Sequence, residues 1–361
     1  SSDDTSDTTG VGECGDGAVN TGEVCFIEGL AFDAPAGPRA VLADDINGDG
    51  DADLIVAGGV SNEIEVRLGN GSGILIGDAT YAVGTNPSAL ALANIDGAGE
   101  PDIIVTNEGD NTVGVLLSTG VATYGEHAGY AISGNGPRAL SLADINEDTF
   151  LDVATANTNA GVGIVLGDGA GAFGMPASVD VGGVARGVAV DDFSGDDNVD
   201  VVSIVGSDLV LNAGNGAGLF GAPATTAIGS AATALAIADF NGDLSDDAAV
   251  ASEGLITIAL GNGVGGFGGG VPFAVGAGTV AIAIGDVSSD GELDIITVDE
   301  TDQTVTILTG NGLGAFEETF TFSVGAAPSA VALADFNGDG VDDIAVTNFD
   351  DDDTTLLLSD P

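Results

Sequence analysis

Apolar and polar positions along this chain alternate in short blocks that recur about every 48 residues. Each block holds a run of Ala, Val, Leu and Ile ending in Ala-Asp or a close variant, then an acidic nine-residue stretch, then a second apolar run. The acidic stretches open at Asp45, Asn94, Asp144, Asp192, Asp239, Asp286 and Asp335, at intervals of 49, 50, 48, 47, 47 and 49 residues. A fixed period of this length marks one supersecondary unit repeated, because a single unit has nothing on which to bury its apolar face. The runs are short, β-rich and bounded by Gly and Asn clusters, with almost no helical periodicity. In the last unit Ala330 to Phe336, Asp343 to Thr347 and Thr355 to Leu358 read as three strands. Elsewhere a fourth follows a Gly-rich turn, as Phe320 to Val324 follows Gly310 to Phe316. The expected class is all-β, a seven-bladed β-propeller of four-stranded blades.

The seventh unit stops after its third strand, and the missing one is found at the other end of the chain. Residues 26–38 (FIEGLAFDAPAGP) align with residues 316–328 (FEETFTFSVGAAP) at an offset of 290 residues, the offset that also carries Asp45 onto Asp335. The N-terminal strand is therefore expected to complete the last blade, leaving no open sheet edge in the ring. Two regions follow: a tail over 1–25, and a propeller over 26–361 whose last blade is closed by 26–38.

The acidic loops carry the candidate chemistry. Asp335, Asn337, Asp339 and Asp343 put oxygen side chains at loop positions 1, 3, 5 and 9, Gly340 permits a sharp bend at position 6, and the Val341 carbonyl adds an oxygen at position 7. Alternate residues of a tight turn converge, and hard oxygen donors in this number suit Ca2+ better than Mg2+. The first loop is equally complete, with Asp45, Asn47, Asp49, Asp53 and the carbonyl of Asp51. The sixth has Asp286, Ser288, Asp290, Asp294 and the Glu292 carbonyl, with a weaker hydroxyl at position 3. Two loops keep their ligands but place Asp197 and Leu244 where Gly is expected. These are Asp192, Ser194, Asp196, Asp200 with the Asn198 carbonyl, and Asp239, Asn241, Asp243, Asp247 with the Ser245 carbonyl. The third loop, Asp144, Asn146, Asp148, Asp152 and the Phe150 carbonyl, has Thr149 at that bend. The second, Asn94, Asp96, Glu100 and Asp102, has Ala98 in place of the fifth-position ligand and is expected to be weak or empty. Several Ca2+ ions, up to about seven, are the expected cofactors.

These units resemble the FG-GAP or VCBS repeats of bacterial secreted proteins and of the integrin α-subunit head. The resemblance rests on the D-x-[ND/S]-x-D-G-x-x-D loops and on signatures such as Gly171-Ala172-Phe173-Gly174 and Gly266-Phe267-Gly268. It implies a seven-bladed propeller with calcium in the loops joining the first and second strands of each blade.

Charge narrows the remaining choices. With 57 acidic residues against four Arg and no Lys, the net charge is −53, which excludes a nucleic-acid binder and disfavours anionic membrane surfaces. No apolar run is long enough to span a bilayer. Cys14 and Cys25 are the only cysteines and read as one disulfide closing a short loop, hence an oxidising, extracytoplasmic setting. That loop resembles a C-G-D-G…G-E-x-C motif of secreted proteins. The segment before it, SSDDTSDTTG, reads as a polar spacer.

Three of the four Arg share one blade position. Arg39, Arg138 and Arg186 each lie six residues before their loop's opening Asp, at the start of the innermost strand. Their local reading is carbonyl capping or pairing with a nearby acid. Their sharper reading is a cationic spot near the central channel, opposite the calcium loops, that receives carboxylates. An acidic tail from a neighbouring copy docking there would build a filament.

The catalytic inventory is thin: His127 is the only histidine, expected as an exposed structural residue, and no nucleophile motif is present, so no enzyme activity is expected, and a polysaccharide-acting enzyme is the least favoured alternative. The expected role is that of an exported, calcium-binding structural or adhesive propeller at the cell surface or outside the cell. Its partner would be a protein or another copy of itself. A calcium-dependent glycan-binding module is the alternative, weakened by the lack of Trp and the scarcity of Tyr.

Overall fold

The computed structural model describes residues 24–229 and 231–359. It contains seven four-stranded antiparallel sheets, each running outward from an innermost to an outermost strand. Six blades take their strands from consecutive chain. Blade 1 is typical, with Pro38–Asp44, Asp53–Gly58, Glu63–Leu68 and Ile76–Ala82. Blade 2 adds a small hairpin, Ser118–Gly120 with Thr123–Tyr124, before its outermost strand.

Burial explains the composition of each strand. The second strand of a blade has blades packed on both of its faces, so it reads as a continuous apolar run instead of an alternating one. In Asp102–Asn107, Asp152–Asn157, Asp247–Ser252, Asp294–Asp299 and Asp343–Asn348 every residue is buried. The innermost strands are half-buried along most of their length because they border the central channel, and small residues predominate there. Fully burying a Val or Ile side chain stabilises by roughly 1.5–3 kcal/mol, so these second strands hold much of the fold's cohesion.

Ring closure follows the expected route. Phe26–Asp33 pairs antiparallel with Asp353–Ser359, from Phe26 opposite Ser359 to Asp33 opposite Asp353. The last blade thus consists of Pro328–Ala334, Asp343–Asn348, Asp353–Ser359 and the N-terminal strand. The strand ends at Asp33, and residues 34–37 turn into the first blade. The tail and Cys14 lie outside the described residues, so the Cys14–Cys25 pairing and the tail's docking are not addressed by the fold.

Candidate functional site

All seven acidic loops join the first to the second strand of a blade and sit on one face of the ring. Position 2 of every loop is an apolar anchor: Ile46, Ile95, Ile145, Phe193, Phe240, Val287 and Phe336 are all buried. With position 2 pinned inward, position 5 is exposed in every loop, position 1 is exposed or half-buried, and position 3 is half-buried, or buried at Ser288. Position 6 adopts left-handed backbone in each loop, and so do Thr149 (φ 76°), Asp197 (φ 69°) and Leu244 (φ 68°), the three non-glycine substitutes. Position 4 is also left-handed throughout, from Gly48 (φ 76°) to Glu147 (φ 59°) and Ser289 (φ 55°). Sequence reasoning missed this second bend, although Gly at position 4 in five of seven loops was its signal.

The loops' backbone N–H groups organise the carboxylates. In the first loop Asp45 Oδ1 accepts from Gly48 (2.7 Å) and Asp49, and Oδ2 accepts from Gly50 (2.9 Å). Asn47 Oδ1 accepts from Asp49, and Asp49 Oδ1 from Asp51. The last loop repeats this pattern at Asp335, Asn337 and Asp339, and the fifth repeats it at Asp239, Asn241 and Asp243. Partial desolvation pushes the Asp45 carboxyl up. The N–H donors of Gly50, Gly48, Asp49 and Asn47 outweigh it and leave the pKa below the usual range.

Position 9 behaves differently. Asp53, Asp102, Asp152, Asp200, Asp247, Asp294 and Asp343 are all wholly buried. Asp53 accepts from Ile46 at the loop's start and from Gly69 just past the third strand, so it ties loop to blade. Gly is needed at 69, because a Cβ there would strike the Ala52 carbonyl; Gly167, Gly214, Gly261 and Gly310 repeat the arrangement. Burial raises the carboxyls of Asp53, Asp152, Asp247, Asp294 and Asp343 to about 6, and the neighbouring loop carboxylates reinforce it at each. Asp102 and Asp200 are raised for the same first cause. No Arg forms an ion pair with any of these groups; the three ion pairs among the described residues lie elsewhere.

Three of the loops also grip the next blade. Gly265 N–H donates to the Phe193 carbonyl, Gly314 to Phe240 and Gly73 to Phe336, the last spanning the closure between blades 7 and 1. Phe267 packs on Phe193, and Phe316 meets Phe240 edge-on at 5.8 Å. Loop geometry and blade-to-blade contact are therefore one feature.

Whether these loops suit a metal can be tested on their own atoms. Among the described residues no three His, Cys, Asp or Glu side chains are already gathered for a metal. Yet Ser194 Oγ, Asp200 Oδ2 and Ser288 Oγ are buried without a well-formed hydrogen bond, the two hydroxyls lying beside the position-9 carboxylates of their own loops. They occupy ligand positions 3 and 9, and an oxygen-only donor set with such buried acceptors fits a hard cation. The second loop departs: Asn94 Nδ2 donates to the Gly99 carbonyl (3.0 Å), turning a donor into the loop where the others present an acceptor.

At the opposite end of the innermost strands lies an axial cavity of about 480 Å³, lined by Arg39, Arg138 and Arg186 together with Ser88, Thr233 and Ser329. His127 is half-buried, not exposed as its place in the sequence suggested. It packs against Gly114 and Asn107, and burial lowers its pKa, favouring the neutral ring.

The family model described as an FG-GAP-like repeat matches residues 45–105, 239–297 and 286–346. The chain carries FG-GAP-like repeats. No curated protein matches the sequence. Among solved structures, an Agrocybe aegerita lectin, described for specific recognition of non-reducing terminal N-acetylglucosamine, is 21% identical with TM-score 0.55, over 91% of this chain and 87% of its own. BBS1N in complex with ARL6DN is 10% identical with TM-score 0.66, over 93% and 97%. Virginiamycin B lyase from Staphylococcus aureus is 12% identical with TM-score 0.60, over 93% and 99%. At these identities this chain shares a fold with them and nothing finer.

Proposed function

We propose that this FG-GAP propeller is an exported, calcium-stabilised structural or adhesive module that associates with protein, including further copies of itself. The observation that supports it most is the set of seven wholly buried position-9 carboxylates, all raised by burial, five of them to about 6, and paired with no cationic side chain among the described residues. Bound Ca2+ would supply the missing positive charge. Position 1 and position 5 carboxylates, the position 3 amide or hydroxyl and the position 9 Asp would hold it, with the position 7 carbonyl available beside them. The Cys14–Cys25 pair and the absence of Lys accord with an extracellular or cell-surface setting. No catalytic role is assigned.

A glycan-binding reading has one observation in its favour, the lectin among the structural neighbours. The aromatic inventory counts against it. Tyr81 packs edge-on against Tyr124, and Tyr130 against Phe173, so the tyrosines are spent on packing. A glycan array run with calcium and with chelator separates the two readings.

Equilibrium dialysis against Ca2+ tests the proposal directly. At least three ions per chain are expected, from the Asp45, Asp286 and Asp335 loops, with the Asn94 loop contributing none. Less than one bound ion per chain at millimolar Ca2+ would overturn it.

A further inference from the structure

The axial cavity is built by a repeated irregularity. In all seven innermost strands the pairing register slips after the first residue, and the residue skipped is Arg39, Ser88, Arg138, Arg186, Thr233, Val280 or Ser329. Bulges re-aim a side chain, and here seven of them direct one position per blade to the axial mouth. The hydroxyls are used within the ring: Ser88 Oγ donates to the Pro137 carbonyl, Thr233 Oγ1 to Thr279 and Ser329 Oγ to Pro38, each latching a blade to the next. An Arg at this position has no such latch to make.

Two of the three Arg are held in place by one acid. Glu108 of blade 2 accepts from Arg138 Nε and Nη2, both at 3.1 Å, and from Arg39 Nη1 at 3.3 Å, while Asn86 Nδ2 steadies Glu108 at 2.8 Å. Arg39 also lies over the Phe349 ring at 5.3 Å. Arg186 is exposed and makes no ion pair among the described residues. Glu300 also lines the cavity, so its wall sets three guanidinium groups against that one carboxylate, with Glu108 bonded to two of the three. Three of the four cations of a chain of net charge −53 gather there. Arg67, the fourth Arg, pairs instead with Glu65 and the Asp33 carbonyl away from the axis.

We infer that this pocket binds carboxylates, and that its occupant is the acidic N-terminal segment of a second copy of the chain. The inference rests on the self-association reading above and gives it a site. Arg186 supplies the free bidentate donor, and Arg39 and Arg138 present their remaining N–H groups in an orientation fixed by Glu108. A volume of this size takes a short peptide stretch. Residues 1–23 carry Asp3, Asp4, Asp7, Glu13, Asp16 and Glu23 and no cation. Direction favours a second copy. Phe26 pairs with Ser359, whose N–H and Oγ reach Asp343 and Asp339, and Val24 packs in one cluster with Val287. The chain therefore enters the fold on the loop face, opposite its own pocket. Copies stacked head to tail bring one segment to the next pocket, and such a contact does not close.

The test uses a labelled peptide of residues 1–10 (SSDDTSDTTG), its Asp-to-Asn analogue, and succinate as a free dicarboxylate. Each is titrated by fluorescence anisotropy or competition against the full chain and against Arg186→Gln, in millimolar Ca2+. In parallel, sedimentation velocity follows self-association of both proteins. The expected result is binding of the acidic peptide that weakens at least tenfold with Arg186→Gln and with the Asn analogue, and concentration-dependent assembly that the variant loses. Equal peptide binding by the variant overturns the site. Succinate displacing nothing, or binding more tightly than the peptide, overturns the assignment of the occupant. Unfolding midpoints of the same samples with and without chelator report the calcium reading separately. They also show that Arg186→Gln, an exposed change, leaves the fold intact.

Discussion

Removing divalent ions should cost this propeller a large part of its stability, and the structure sets the scale. At a pH of about 7.5 the five position-9 Asp groups whose pKa is raised from 3.8 to about 6 are ionised in the fold. A rise of that size corresponds to at most ~3 kcal/mol per group. The loops beside them are open to water and salt, so a discounted value of ~1 kcal/mol each is the usable figure. Together these groups oppose folding by roughly 5 kcal/mol, comparable with the whole net stability of an ordinary domain, about 5–15 kcal/mol. Ca2+ at a hundred times its dissociation constant contributes ~2.7 kcal/mol per occupied loop, so three loops return about 8 kcal/mol. At roughly 2 °C per kcal/mol for a chain of this size, chelation should lower the unfolding midpoint by more than ~10 °C.

The assay is thermal unfolding followed by circular dichroism, in millimolar Ca2+, in excess chelator, and in chelator followed by excess Mg2+. Mg2+ should restore little, because it demands near-ideal octahedral geometry and gives up water reluctantly. Coupling between loop and blade predicts one cooperative transition, since the position-2 carbonyls of the Asp192, Asp239 and Asp335 loops hold the next blade's Gly turn and the Phe193 and Phe240 rings pack on that blade. A midpoint that moves by less than ~2 °C on chelation would refute the reasoning, and the buried carboxylates would then be stabilised by their N–H donors alone.

Other consequences can be checked on single variants. Asp339→Asn keeps an acceptor for Val341 N–H but removes a charge that raises Asp343; the chelated protein should hold or gain up to ~1 kcal/mol, while the gain from Ca2+ shrinks, both read from denaturant midpoints. Gly340→Ala places a Cβ at φ 92° in open space, so it should cost the ~1–2 kcal/mol of left-handed backbone; Leu244→Gly, at φ 68° with its side chain 95% exposed, should cost nothing or stabilise slightly. In chelator, folding holds protons between pH ~4 and ~6 that the unfolded chain has released, so stability should be greatest near pH 4 and decline until about pH 6.5, as urea midpoints across that range would show. Ile104→Ala, wholly buried in a second strand, should cost ~2–5 kcal/mol in the same assay.

The parts of this molecule that were legible in its sequence are those governed by period and by special backbone. Seven acidic loops at near-equal spacing and one offset of 290 residues contain the ring and its closure, because a repeated unit must bury its faces on its neighbours and an unpaired strand must find an edge. Thr149, Asp197 and Leu244 were identifiable as strained bends because six-position periodicity demanded Gly there, and all three are left-handed. What the sequence could not disclose depends on contacts between units. Nothing in the residue order shows that Gly265 and Gly314 reach back to the carbonyls of Phe193 and Phe240, so these loops read as isolated candidate metal sites, whereas in the fold they are clasps between blades. Position 9 read as a ligand alone, whereas its two oxygens also bind the loop's start to the end of the third strand. Glu108 was likewise invisible, since it stands 69 residues from Arg39 and 30 from Arg138 and meets them only because a ring returns three blades to one axis. That same geometry leaves Arg186, of three charges equivalent in register, as the one with no ion pair among the described residues, and its neutralisation is therefore the change that most directly separates a structural ring from a binding one.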